Sequence, residues 1–326
     1  MIRTMSSRAS ALSAVVLLAL PGPTVLGLGP AGEDTASPPP AGVYDEKADA
    51  GADVAAALAR AGQQHKRVLL VFGANWCPWC LKLHNLFESN RQIARLLLYE
   101  YETVLVDIGR MNKHLDLARR YGADLRKAGV PFLTVLDAAG KTLVNQETGS
   151  LEAGDHHDPD KVKAFLTRWK TEPPDAKTAY SHALARAARE DKRVLVSFSA
   201  PWCTWCRRFE AFMVRRDIAV VMDRAYVWLN VDTERMPRAK ELDQSIRGKG
   251  GYPWFAVQDA SGKTLMTSEG AQGNVGYPVE PHEIAHFVEV IRRTAVRAEA
   301  TEISTIEQAL QDVAAQIKAA RAVPDR

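Results

Sequence analysis

Cysteine is absent from this 326-residue chain except in two short segments, which hold all four. No excess of either charge exists: 42 basic against 39 acidic residues leave a net +3, and no basic stripe stands out, so nucleic acid is excluded as a partner. A long hydrophobic run is missing too. The longest near the start, Ala11 to Leu20, is half of the roughly 20 residues that a membrane span needs, and Val25 to Leu28 extends it only weakly. No cysteine follows that run, which excludes a lipid-modified N-terminal cysteine. With 46% hydrophobic and 25% charged residues, the chain has the composition of a globular protein with room for two domains.

The N-terminus has the parts of an export signal. Arg3 and Arg8 precede the apolar run, Pro21-Gly22-Pro23 ends it, and small residues follow from Gly27 to Ala31, where cleavage is expected. An uncleaved anchor is the alternative. Residues 1–29 are therefore assigned to a signal peptide and the chain to an exported, periplasmic or extracellular setting, where paired cysteines oxidise. Residues 30–44, rich in Pro, Ala, Gly and Ser and including Pro38-Pro39-Pro40, are expected to form a flexible linker.

The two cysteine segments are Gly73-Ala74-Asn75-Trp76-Cys77-Pro78-Trp79-Cys80 and Ser199-Ala200-Pro201-Trp202-Cys203-Thr204-Trp205-Cys206. Each follows an apolar run and opens a helical pattern. That places both sulfurs in the first helical turn, where free backbone N–H groups favour a thiolate. The surroundings repeat as well: Ala56 to Ala61 returns as His182 to Ala187 at an offset of 126, the offset between Cys77 and Cys203. Asp137-Ala138-Ala139-Gly140-Lys141-Thr142-Leu143 returns as Asp259-Ala260-Ser261-Gly262-Lys263-Thr264-Leu265. A repeat this long is a duplicated globular domain, since solenoid periods run at about 20 to 50 residues.

Hydrophobic periodicity gives each unit the order αβαβαββα. In the first, helix is expected over 48–64 and strand over 67–72. Helix follows the cysteines, with a break near Asn90, then strand over 103–107 and helix over 114–121. Strands over 130–136 and 141–146 flank a Gly turn. Asp158 and Pro159 cap a last helix that ends at Trp169. In the second, helix is expected over 176–188 and again, unbroken, over 203–222; strands are expected over 193–198, 226–232 and 252–257. Glu172-Pro173-Pro174-Asp175 separates the units, which gives domains at 45–171 and 172–297. Residues 298–326 carry the stripe Ile303, Ile306, Leu310, Val313 and Ile317, with Ser304 and Glu307 in capping-box positions. The stripe suits an amphipathic helix folded back on its own domain; dimerisation through it is the alternative.

Over residues 45 to 295 the chain resembles the thioredoxin-fold thiol-disulfide oxidoreductases. Three features carry the resemblance: the strand-Trp-Cys-x-x-Cys-helix element, a proline at the start of a later strand preceded by Val130 or Tyr252, and a hairpin with Gly at its turn. A leading helix in place of a first strand is most similar to the DsbD C-terminal type, and the tandem order to protein disulfide isomerases. The resemblance implies an α/β fold of two thioredoxin-like domains, each a central mixed sheet flanked by helices. It makes Cys77 and Cys203 exposed nucleophiles and Cys80 and Cys206 their resolving partners, with no cofactor beyond these pairs. Pro131 and Pro253 are expected to be cis, with the backbone of Val130 and Tyr252 meeting an extended substrate and Trp76 and Trp202 shielding the site; ordinary rim packing is the alternative for the tryptophans. Implied partners are protein thiols or disulfides and a separate redox partner.

One family feature is missing. The buried acid expected six residues before each first cysteine is replaced by Val71 and Ser197. Glu210 and its counterpart His84, four residues after each second cysteine, are candidate substitutes, with a solvated helix position as the alternative for each. The unequal pairs Pro78-Trp79 and Thr204-Trp205 suggest unequal redox potentials. Asp155-His156-His157-Asp158 contains metal-ligand types, but Asp158 is accounted for as a cap and the second unit has Val279-Glu280-Pro281-His282 there, so no metal is assigned. The rival to a redox enzyme is a binding or assembly module with two structural disulfides.

Overall fold

A computed structural model describes residues 42–248 and 250–322. The expected signal peptide and most of the linker lie outside the described residues. The first unit runs α1 (Ala50–Gln64), β1 (Arg67–Gly73), α2 (Pro78–Ser89), α3 (Arg91–Glu100), β2 (Tyr101–Asp107), α4 (Leu115–Arg120), α5 (Leu125–Ala128), β3 (Phe132–Leu136), β4 (Thr142–Glu147), β5 (Glu152–Ala153), β6 (His156–His157) and α6 (Pro159–Trp169). The second runs α7 (Ala176–Glu190), β7 (Arg193–Ser199), α8 (Thr204–Met213), α9 (Arg216–Ala225), β8 (Tyr226–Asp232), α10 (Ala239–Ile246), β9 (Trp254–Gln258), β10 (Thr264–Thr267), β11 (Glu269–Gly270), β12 (Gly273–Asn274), α11 (Pro281–Thr294) and α12 (Ala300–Ala322).

Each unit has a four-stranded mixed sheet, ordered β2-β1-β3-β4 and β8-β7-β9-β10. The strand leading to the cysteines pairs parallel with one neighbour and antiparallel with the other. It is central because it is apolar on both faces. Side chains alternate along a strand, so Val68, Leu70 and Phe72 pack toward α1 while Leu69 and Val71 face the core of α2, α3 and α6. Val194, Val196 and Phe198 repeat the first set, and Leu195 faces α8, α9 and α11. Ser197 interrupts that second face.

The break near Asn90 is present: its Oδ1 accepts from the N–H groups of Gln92 and Ile93 at 3.1 and 3.2 Å and starts α3. The helix expected unbroken over 203–222 is likewise two helices, α8 and α9, separated at Val214-Arg215. Neither residue offers a break signal in sequence; packing of both helices on one core sets the turn.

Two further expectations change. Tyr44, assigned to the flexible linker, is buried against the first cysteine pair. At the other end, α12 begins at Ala300, so Ser304 is no cap: its Oγ donates to Ala300 O at 3.0 Å, inside the helix. Glu302 serves instead, accepting from Glu299 N at 2.9 Å. The apolar stripe of α12 is spent on its own domain, with Ile306, Ala309, Leu310 and Ala314 buried against α9 and α11. A dimer through that stripe is therefore not supported. Among the described residues no helix is long and apolar enough to cross a membrane.

The units also touch each other, through the end of α1. Arg235 reaches across to donate to Gln64 O at 2.8 Å, His65 O at 3.0 Å and Glu100 Oε2 at 2.9 Å. Its guanidinium is buried, and its five fixed donors suit two carbonyls and a carboxylate at once.

Candidate active sites

Cys77 and Cys203 are the N-caps of α2 and α8. In each, the first sulfur accepts the backbone N–H of the second cysteine at 3.1 Å. A thiolate at this atom would meet a hydrogen-bond donor and the positive end of a helix together. The pairs are disulfides, Cys77–Cys80 and Cys203–Cys206. The first cysteines are less open than expected of exposed nucleophiles: Cys77 and Cys203 are 4% and 6% exposed, while Cys80 and Cys206 are 0%. Packing of the following tryptophans and the facing Val130 and Tyr252 closes around them, so what access remains belongs to the first sulfur.

The prolines lie where the sequence puts them. Val130-Pro131 and Tyr252-Pro253 are both cis. Cys77 Sγ lies 3.6 Å from Val130 O. Tyr252 flanks the second pair, its Oη donating to Asp243 Oδ2 at 3.1 Å and its ring tilted against Trp202 at 6.4 Å. A cavity of about 560 Å³ lies beside Pro253, lined by Trp205, Tyr252, Asn274 and Tyr277 among others. Asn274 shapes it by donating to Gly251 O and Pro253 O at 2.8 and 3.0 Å.

The tryptophans divide by position. Trp76 and Trp202 are 46% and 57% exposed on the rim, and Trp76 Nε1 donates to Gly109 O at 2.6 Å. Trp79 and Trp205 pack inward, Trp79 edge-on to His157 at 5.2 Å and Trp205 stacked on Tyr277 at 6.2 Å. His157, from the Asp-His-His-Asp stretch, is thus a buried aromatic wall with both ring nitrogens unpartnered. Burial, with the charges of Lys82 and His156 beside it, pushes its imidazole down to about 4. Among the described residues no metal-binding cluster forms.

A buried acid of the second unit lies on the helix instead of at Ser197. Glu210 sits one turn after Cys206 on α8 and is buried at 4% exposure. Ser197 is the start of the network that holds it: Trp228 Nε1 donates to Ser197 Oγ at 2.9 Å, Ser197 Oγ donates to Asn230 Oδ1 at 3.0 Å, and Asn230 Nδ2 donates to Glu210 Oε1 at 2.8 Å. Its other oxygen accepts from Gln64 Nε2 of the first unit at 2.8 Å. Burial pushes the Glu210 carboxyl above its ordinary value, with Asn230 and Lys66 opposing. At the first site the counterpart His84 is only half-buried, and Val71 is ordinary core. Sequence reasoning weighed Glu210 as a solvated position because its cover comes from the other domain.

The thioredoxin-like family model matches residues 49–138. The Thioredox_DsbH model, a family described as protein of unknown function DUF255, matches residues 159–318. Among curated proteins, protein disulfide-isomerase tigA of Aspergillus niger is 24% identical over 214 residues, 65% of this chain and 57% of that protein. Disulfide bond reductase DsbH of Chlamydia pneumoniae is 30% identical over 94 residues, 27% of this chain and 57% of that protein. The chain spans about half the length of the curated relatives it matches. A solved disulphide isomerase from Xylella fastidiosa Temecula1 is 33% identical, covering 39% of this chain and 95% of its own at a TM-score of 0.36.

Proposed function

We propose that the chain, whose two halves match thioredoxin-like family models, is a tandem thioredoxin-fold thiol-disulfide oxidoreductase in which both cysteine pairs exchange disulfides with protein substrates. The observation that carries this is the capping geometry: at each site the first cysteine caps the start of a helix, its sulfur accepts one backbone N–H, and it holds what exposure the pair has. In the reductive direction the Cys77 or Cys203 thiolate attacks a substrate disulfide. One substrate sulfur leaves as thiolate and the other is held in a mixed disulfide. Cys80 or Cys206 then loses its proton and attacks the first sulfur, releasing the second substrate thiolate. The protein dithiol gives up two electrons and two protons, and the substrate disulfide takes both.

At the second site Glu210, buried one helical turn after Cys206 with its carboxyl raised by burial, accepts the proton of Cys206. Val130, Pro131, Tyr252 and Pro253 form the substrate platforms, with Trp76 and Trp202 shielding the sulfurs. Reduction is preferred over isomerisation and oxidation, in an exported protein that draws on a separate redox partner. The test is turnover of a disulfide substrate by the reduced protein: a wild type no faster than the Cys77→Ser, Cys203→Ser double variant removes catalysis.

One observation favours a second reading. All four cysteines are nearly buried, as structural disulfides of a binding module would be. Reduction potentials below about −300 mV at both sites would select that reading.

A further inference from the structure

Tyr44 enters the first site from outside the helical core, ahead of α1. One side chain holds its backbone at both ends: Tyr44 N donates to Asn75 Oδ1 at 2.9 Å, and Asn75 Nδ2 donates to Tyr44 O at 2.8 Å. Lys113 Nζ anchors the same segment by donating to Glu46 O at 2.8 Å. The ring is 1% exposed and packs on Cys77 and Cys80. Its hydroxyl has no hydrogen-bond partner. Buried polar groups are almost always satisfied, so an orphan beside reactive atoms calls for an explanation.

Gly73 gives the position of that hydroxyl. A Cβ at Gly73 would overlap the Tyr44 Oη and stand 3.0 Å from Cys80 Sγ. Oxygen and resolving sulfur therefore border the same point, and the missing side chain leaves room for both. The second unit has none of the three parts. At the offset of the cysteines, Tyr44, Asn75 and Gly73 become Lys170, Pro201 and Ser199. Proline has no amide side chain to hold an incoming segment, and Ser199 contributes to the hydrogen bonding of Glu210 instead.

We propose that the Tyr44 hydroxyl donates a hydrogen bond to the Cys80 sulfur once the Cys77–Cys80 disulfide opens, making Tyr44 a catalytic residue of the first site. A disulfide sulfur is a poor acceptor; the freed Cys80 sulfur is a better one, and the strongest as the thiolate it becomes on losing its proton. Reduction therefore gives the hydroxyl the partner it lacks in the oxidised form. Tyr44 acts as donor and not as base, because burial and the nearby Asp107 charge hold its phenol protonated. Asp107, itself buried, has Lys113 Nζ at 3.4 Å as its ion-pair partner. The stabilisation falls on the reduced state alone, so it raises the reduction potential of the first site. The inference rests on the exchange reading only in needing the disulfide to be reversible.

The experiment uses the full chain with Cys203→Ser and Cys206→Ser, so that one pair remains. It is equilibrated with glutathione, the disulfide plus two GSH giving the dithiol plus GSSG, and the two forms are counted after alkylation. Tyr44→Phe keeps the ring and removes the oxygen. The equilibrium constant for reduction is expected to fall about tenfold, which is about 30 mV. In the same chain with Cys77→Ser, Tyr44→Phe moves the Cys80 thiolate titration to higher pH. Asn75→Ala, which loosens the segment, shifts both readings the same way by a smaller factor. An equilibrium constant in Tyr44→Phe within twofold of its parent, or above it, overturns the proposal. Absent turnover with the Tyr44 shift intact would remove the exchange function and leave this hydrogen bond standing.

Discussion

Replacing Glu210 with glutamine separates proton transfer from packing. Glutamine is nearly isosteric, and its Oε1 can keep accepting from Asn230 Nδ2. Its Nε2 can donate to Gln64 Oε1, an oxygen that is buried without a partner in the native protein. The Gln64 amide need only turn over. Relief of one unsatisfied buried acceptor is worth about 1 to 3 kcal/mol, and relief of a carboxylate held in a buried site acts in the same direction. The sign follows from the raised carboxyl: the folded state holds a proton that the unfolded state has lost. The share of stability that Glu210 contributes is therefore full below pH 4.5 and is lost as pH rises through the raised value. Glu210→Gln should be at least as stable as wild type at pH 7, with a flatter stability profile above pH 4.5. Its chemistry should suffer: removing a general base costs roughly 10² to 10⁴ in the assisted step. The assay is stopped-flow tryptophan fluorescence on a chain with Cys77→Ser and Cys80→Ser, following resolution of a preformed mixed disulfide at Cys203. A variant that resolves at the wild-type rate, with the same pH profile, refutes the assignment of Glu210.

Two further outcomes test the packing around these sites. Arg235→Leu leaves two carbonyls and Glu100 without their buried donor, a loss of about 3 to 5 kcal/mol; chemical denaturation should split into two steps as the domains part, and a single unshifted transition would contradict the docking described above. Stability should also fall as pH drops from 6.5 toward about 4, because His157 must gain a proton in the unfolded state before the folded one. His65, lowered by burial and Arg235, adds a share of the same sign. His157→Phe should flatten the His157 share of that slope, and an unchanged slope would show that the imidazole is not buried neutral.

Much of the architecture was legible in the sequence because it is locally written. Continuous apolar runs gave β1 and β7, Asp158-Pro159 gave the start of α6, and the repeat itself gave two domains. The cysteines and prolines came with their spacing. What escaped depends on contacts distant in sequence. Glu210, a charged residue in the helix after the second pair, looks solvated until Gln64 covers it from 146 residues away. Tyr44 follows a run of proline and alanine and looks like tether until Asn75 fastens it. Gly73 against Ser199, Asn75 against Pro201 and His84 against Glu210 are among the positions at which the two halves differ.

The end of α1 also distinguishes the two copies of the domain. In the first unit this helix end, Gln64 and His65, is the socket into which the following domain plugs with Arg235 and Glu210. In the second unit the same corner is Glu190 and Asp191, and it is already filled from within. Arg297, just past α11, donates to Glu190 O at 3.4 Å and pairs with Asp191 Oδ2 at 2.7 Å. The two copies are thus asymmetric at this corner: the first receives a side chain from its neighbour, and the second is occupied by its own Arg297.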